Sequence, residues 1–185
     1  FLAAPASPEG TMARLHIENV FPNITPDEFW AILLNADYDK ALQPALGVKF
    51  RQELERKEDE KKIYRRIRMI PGFPVPAPVQ KILSNVELEY LEESTFHKDR
   101  KVLDWSVQPN VLSDRVVAKG QVVVVAEGPN VRRTINGEVT VNVFGVGGIV
   151  EKLVKDNTER SYENATRFTL DFIRAGKHKG MPLVC

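Results

Sequence analysis

The stretch from Val146 to Arg174 constrains the fold most, because it carries the longest helical pattern in the chain and comes after every other element. A face with a period of 3.6 residues runs through Val146, Val150, Leu153, Asn157, Ser161, Asn164 or Ala165, Phe168 and Phe172. Its middle third is polar, and burying such groups without partners costs about 1–3 kcal/mol each. We therefore interpret this helix as the roof of a cavity. The alternative is an imperfect surface helix.

Composition limits the classes of function. The 185 residues, 43% of them apolar, fit one domain with a core. A net charge of +1 gives no strong field for a nucleic-acid partner. The single cysteine, Cys185, has no partner within the chain, which favours a reducing compartment and a cytoplasmic location, with or without peripheral contact to a membrane; an exported bacterial protein is the alternative. No apolar run reaches the length of about 18 residues that a membrane helix needs.

The ends of the sequence lack periodicity. We interpret 1–12 as a disordered segment or a remnant of expression, with a processed native terminus as the alternative. The domain is expected over 13–175, and 176–185 is expected to be a flexible tail.

The domain begins with a strand and two short helices. Ala13–Val20 alternates as a strand does. Thr25, Pro26 and Glu28 then form the pattern of a capping box at a helix start. A second short helix follows, interrupted by Pro44 and ended by Gly47.

Strand patterns fill most of the remaining chain before the last helix. They cover Val48–Lys57, Lys61–Ile70, Asn85–Thr95, Arg100–Pro109, Arg115–Glu127 and Asn130–Phe144. Short turns between them predict an antiparallel meander. Gly120 and Gly137 lie inside long strands and indicate bulges or bends, although Asn136-Gly137 is also a hairpin-turn signal.

This order resembles that of the START lipid-transfer domains and the wider polyketide cyclase/dehydrase superfamily, over Ala13 to about Arg174. The resemblance implies an α+β helix-grip fold. In this fold a curved antiparallel sheet of about seven strands wraps around a long C-terminal helix, and two short helices follow the first strand. It also implies a deep pocket between sheet and helix. Most members of the superfamily bind lipids or sterols there, and a minority catalyse cyclisation or hydrolysis.

Motifs for catalysis or metal binding are not evident. His16, His97 and His178 do not have the spacing of metal ligands, so neither a metal nor another cofactor is predicted. The sequence lacks a nucleophile elbow and a Cys/His pair. An enzyme of this superfamily would need a buried acid or base, for which Asp104, Tyr90 and Arg133 are the candidates.

The apolar phase of each strand and the inner face of the helix predict the ligand-binding residues. They are Phe50, Ile67, Met69, Leu88, Trp105, Val107, Val122, Val124, Arg133, Ile135, Val139, Val150, Leu153, Val154, Asn157, Ser161 and Phe168. We expect the ligand's polar end to meet Asn157, Ser161, Arg133 or Asp104.

A proline-rich segment, Pro71–Val79, interrupts the strands. Its apolar residues Phe73, Val75 and Val79 are interpreted as a gate that contacts membranes. The alternative is a plug folded back over the core.

The leading hypothesis is therefore a non-catalytic lipid-binding or lipid-transfer domain, a monomer, that carries a sterol or another apolar molecule. Its predicted partners are that ligand and, transiently, a membrane surface. A cyclase or hydrolase of the same superfamily is the first alternative. A regulatory interaction module with a collapsed pocket is the second.

Overall fold

A computed structural model describes residues 11–84, 86–143 and 145–184. Its elements follow the predicted order. The strands are β1 (Thr11–Phe21), β2 (Val48–Glu58), β3 (Lys62–Pro71), β4 (Tyr90–His97), β5 (Val102–Pro109), β6 (Val116–Glu127) and β7 (Asn130–Val141). The helices are α1 (Pro26–Leu33), α2 (Ala36–Leu46), α3 (Ala77–Leu83) and α4 (Gly147–Arg174).

The seven strands form one curved antiparallel sheet in the order β1-β7-β6-β5-β4-β3-β2. Strands β2 to β7 pair with their neighbours in sequence, as a meander requires, and β1 closes the edge beside β7. Helix α4 packs mainly on β1, β7 and α2. The predicted α+β architecture is confirmed.

Local chemistry explains where the first two helices begin and end. The Thr25 hydroxyl accepts a hydrogen bond from the Glu28 backbone, and the Glu28 carboxylate accepts one from the Thr25 backbone, which completes the predicted capping box. Asn35 caps α2 in the same manner by accepting from two backbone N–H groups. Gly47 ends α2 with a left-handed φ of 67°, which glycine adopts without strain.

Two irregularities in β2 correct the predicted facing of this strand. The register with β3 shifts between Val48 and Phe50 and again between Glu53 and Glu55. Each shift reverses which side chains face inward. As a result Arg51 is turned toward the interior, and Phe50, which was predicted to line the pocket, is 38% exposed.

The predicted bulges at Gly120 and Gly137 are absent from the ladder that the structure describes between β6 and β7. These residues pair directly with each other, without a register shift. The Trp105 indole lies against both of them, and a Cβ on Gly120 would come within 2.2 Å of the Asn136 oxygen and 2.7 Å of the indole. The glycines therefore provide a close approach of backbone and ring.

The ends of the domain extend beyond the predicted limits. Strand β1 begins at Thr11, and the expectation for 1–10 lies outside the described residues. In the expected tail His178 is 8% exposed, and Met181 and Val184 pack against the core. This part of the tail is therefore packed onto the domain.

Gly120→Ala is expected to destabilise the protein by about 1–3 kcal/mol or more, because overpacking forces the backbone or the indole to move. Gly148→Ala is the matched control, since a Cβ there meets no atom within 4 Å. In α4 that change should be neutral or stabilising. Chemical denaturation of both variants measures the difference. Equal stabilities would contradict the role given to Gly120.

Candidate functional site

A cavity of about 290 Å³ lies between the inner face of the sheet and α4. The sheet supplies one wall from β2 to β7, the middle of α4 supplies another, and α1 with α2 closes one side. The cavity forms because α4 packs mainly on β1, β7 and α2, so its middle spans the concave sheet.

The structure brings many of the predicted ligand-binding residues to this cavity. Its lining includes Met69, Trp105, Val107, Val122, Arg133, Ile135, Val154, Asn157 and Ser161. Their strand phases and the helix face agree with the sequence analysis. That they bind a ligand stays a prediction.

The remaining predicted residues lie elsewhere. Those packed into the core are Ile67, Leu88, Val124, Val139 and Val150. Leu153 and Phe168 are partly buried on α4 outside the lining, where the Phe168 ring contacts Tyr38. The alternation along a strand shows which side chains face inward. It does not show whether an inward side chain borders the cavity or is covered by its neighbours.

Sequence reasoning missed most of the polar wall. The additional polar lining residues are Tyr38, Asp39, Arg51, Arg65, Glu92, Ser94, Thr158 and Tyr162. A signal existed for Arg65, which shares the alternation phase of Ile63 and Ile67. Tyr162 was missed because the buried face of α4 passes through Thr169 and Ile173, one residue beyond the predicted Phe168 and Phe172.

One end of the polar wall is a compensated network of ion pairs. Arg51 Nη2 lies 2.9 Å from Asp39 Oδ1, and Arg65 Nη2 lies 3.4 Å from the same oxygen. Arg65 Nε donates to Glu53 Oε2 at 2.6 Å. Burial opposes the charge of Arg65, but Asp39 and Glu53 outweigh it and raise its pKa. Two cations and two carboxylates thus balance within this cluster.

Arg133, in contrast to Arg51 and Arg65, contacts only neutral groups. It is 3% exposed, and its Nη2 donates to Asn19 Oδ1 at 2.5 Å and Thr166 Oγ1 at 2.8 Å. Its guanidinium lies between the rings of Phe21 and Tyr162, 5.2 and 5.6 Å from their centroids. Burial lowers its pKa, because the charged form loses water. All of these partners are neutral.

Three tyrosines also line the cavity. Tyr38 shares a 2.6 Å hydrogen bond with Thr169, whereas the hydroxyls of Tyr90 and Tyr162 bond to no group in the described ranges. Burial raises the pKa of Tyr90 to about 12 and raises that of Tyr162 as well. Near neutral pH both hydroxyls therefore keep their protons and serve as hydrogen-bond donors or acceptors.

The polar groups of α4 largely bond to their own helix. Asn157 Nδ2 donates to the Leu153 carbonyl at 2.7 Å, and Thr158 Oγ1 donates to the Val154 carbonyl at 2.8 Å. This bonding accounts for inward polar residues without a ligand. Ser161, in contrast, makes no side-chain hydrogen bond within the described part of the chain.

Asp104 does not belong to the cavity, which corrects its prediction as a polar or catalytic group there. It lies on the opposite face of the sheet, 46% exposed at the side chain. Its carboxylate is 2.9 Å from His97 Nε2 and accepts a 2.8 Å hydrogen bond from Gln121. Alternation places it opposite to Trp105.

The proline-rich segment lies beside the cavity. Phe73 is half-buried and lines it, Val75 packs against the core, and Val79 is buried within α3. Among the described residues no group of three metal-ligating side chains comes together. No helix in these ranges is long and apolar enough to cross a bilayer.

The raised pKa of Tyr90 predicts an effect of alkaline pH. Between about pH 10 and 12 the folded state keeps a proton that the unfolded chain has released, so the free energy of unfolding falls as pH rises. Tyr90→Phe should reduce this loss by up to about 1.4 kcal/mol per pH unit. Denaturant titrations of the wild type and of Tyr90→Phe across this range measure the slope, and an unchanged slope for Tyr90→Phe would contradict the assignment.

Comparison with solved structures identifies the fold. A protein from Thermus thermophilus, TTHA0849, aligns with a TM-score of 0.60 at 18% identity, covering 86% of this chain and 98% of its own. An aromatase/cyclase from Streptomyces sp. R1128, Zhui, gives 0.57 at 12% identity, covering 91% and 94%. Norcoclaurine synthase from Thalictrum flavum, in complex with dopamine and hydroxybenzaldehyde, gives 0.56 at 17% identity, covering 88% of each chain.

These likenesses establish a shared helix-grip fold, which confirms the resemblance drawn from the element order. The neighbours include enzymes, and at such identities they show the fold alone. No protein with a curated description matches the sequence. A family model does match residues 19–173, which is most of the domain. The chain therefore belongs to the family described as "Protein of unknown function (DUF2505)".

Proposed function

We propose that this protein is a non-catalytic carrier that binds one small apolar molecule, of lipid or sterol type, between its sheet and α4. The observation that carries the proposal is the cavity of about 290 Å³ with mostly apolar walls. This volume lies just below the usual range of small-molecule sites, about 300–1,000 Å³. It favours a compact apolar body over a lipid with two acyl chains.

The polar wall is suited to orienting such a ligand. Arg133, Ser161 and the tyrosine hydroxyls offer hydrogen bonds to one polar group, and one or two bonds suffice to fix an otherwise apolar molecule. Asn157 contributes less than predicted, because its amide already donates to its own helix. The protein acts as a monomer in the cytoplasm and meets membranes transiently in this proposal.

An enzyme is the second candidate, and Glu92 favours it. This carboxylate lines the cavity and forms no hydrogen bond or contact ion pair with the described residues, although its charge acts on Arg65 and Tyr162. A carboxylate beside a bound molecule can act as a general base. The similar structures include an aromatase/cyclase and norcoclaurine synthase. The other candidates support catalysis less, since Asp104 is on the outer face and Tyr90 holds its proton.

Recovery of the ligand separates the two candidates. The protein is purified from a lipid-rich host and examined by native mass spectrometry, followed by extraction of what it holds. A carrier returns an unaltered molecule, and Glu92→Gln leaves its occupancy unchanged. If the wild-type protein converts the extracted molecule and Glu92→Gln does not, the carrier proposal is wrong and the protein is an enzyme.

Filling the cavity should prevent binding. Ala118 is buried on β6 and lines the cavity, whereas Ala126 on the same strand is exposed. We expect Ala118→Phe to weaken binding of the neutral fluorophore 1-N-phenylnaphthylamine at least about tenfold, a loss of about 1.4 kcal/mol, while Ala126→Phe binds as wild type does. Fluorescence titration measures both. Ser161→Phe fills the cavity from the helix side if Ala118→Phe does not fold. Unchanged binding in a folded cavity-filling variant would contradict this location.

Phe73 tests the proposed gate. If its ring contacts a bilayer during transfer, Phe73→Asp slows exchange of a fluorescent lipid between liposomes and leaves the melting temperature nearly unchanged. If the ring instead plugs the core, the same change buries an unpaired charge and destabilises the fold by several kcal/mol. Pro74→Asp, at an exposed neighbour, controls for added charge near the membrane. Lost stability without a selective loss of transfer would remove the gate.

A further inference from the structure

Arg133 is a buried cation that forms no ion pair with the described residues. Its two hydrogen-bond acceptors are the amide of Asn19 and the hydroxyl of Thr166, and its two ring contacts are Phe21 and Tyr162. These residues come from β1 and α4, the elements that enclose it. Burying a charge without an opposite charge costs free energy that neutral hydrogen bonds only partly return.

Other arginines of the same molecule show that this arrangement is specific. The side chains of Arg51 and Arg65 are also buried, at 8% and 7% exposure, and both pair with Asp39. Arg132, the chain neighbour of Arg133 on the outer face, pairs with Glu18 and Glu127. These arginines are paired with carboxylates, whereas Arg133 lies in the cavity wall and contacts only neutral groups.

The guanidinium also has unused donors. Its Nη2 makes both hydrogen bonds, while Nε is buried without a partner and Nη1 bonds to no described group. Nearby, the Tyr162 hydroxyl lacks a partner in the described ranges. Both side chains line the cavity. A group that accepts hydrogen bonds and bears negative charge would satisfy Nη1 and the Tyr162 hydroxyl at once.

We infer that the ligand is an apolar carboxylic acid, whose carboxylate pairs with Arg133 while its apolar body fills the cavity between β7, β6 and α4. This inference rests on the proposed function and names its ligand class. A monoanion balances one guanidinium. A phosphate dianion would bring a second negative charge, which Arg133 cannot offset, into a cavity that Glu92 also lines.

The test compares ligands that differ only in the head group. Decanoate, decan-1-ol and decyl phosphate each displace the neutral fluorophore 1-N-phenylnaphthylamine from the wild-type protein at neutral pH. A charge-assisted hydrogen bond contributes about 1.5–3 kcal/mol, so decanoate should bind at least about tenfold more tightly than decan-1-ol. It should also bind more tightly than decyl phosphate.

Arg133→Met isolates the guanidinium, because methionine keeps an unbranched apolar chain. We expect this variant to lose the preference for decanoate over decan-1-ol, measured as the ratio of the two displacement constants. Arg132→Met, which removes the neighbouring arginine on the outer face, should keep that preference. If Arg133→Met does not fold, Arg133→Gln takes its place, and the wild-type comparison of acid with alcohol remains decisive.

The outcomes separate this inference from the proposed function. If wild-type protein does not bind the neutral fluorophore, the carrier proposal itself fails. If the fluorophore binds but decanoate and decan-1-ol displace it equally, the cavity is a binding site and the carboxylate class is wrong. Tighter binding of decyl phosphate, or an acid preference that survives Arg133→Met, also overturns the inference.

Discussion

The buried hydrogen bond between the hydroxyls of Tyr38 and Thr169, 2.6 Å long, connects α2 to the C-terminal half of α4. Around it, Tyr38 packs against Phe168 at 5.8 Å and Phe172 at 5.1 Å between ring centroids. This cluster fixes one half of the helix against the domain. The middle of α4 spans the concave sheet, so the cavity depends on how this helix is held above it.

The order and type of the elements were predictable, because periodicity and capping chemistry act locally. Thr25 and Glu28 form the expected capping box, and α4 differs from its predicted start by one residue. The facing of β2 was not predictable, since its register shifts arise from pairing with a strand beyond the turn. Nor was the fit of Trp105 against Gly120, which requires three strands to be assembled before the contact exists.

The candidate site was predictable where its residues follow the alternation that turns apolar side chains toward the core. Met69, Val107 and Ile135 share that alternation and line the cavity. The charged residues were harder to find, because a sequence does not show which carboxylate will meet which guanidinium. Arg133 acquired significance only when the partners of Arg51 and Arg65 were known, and its own partners proved neutral. Which charged side chains pair with one another depends on the tertiary structure.

The hydroxyl and amide groups of α4 that bond to carbonyls four residues back have a further consequence for the shape of the cavity. Such bonds occur at Asn157, Thr158, Thr166 and Thr169, along the span that faces the sheet and α2. Bonds of this kind give a carbonyl a second donor, and they commonly bend a helix. The path of α4 above the sheet therefore depends on its own hydroxyl and amide side chains as well as on its packing, and the height of the cavity depends on that path.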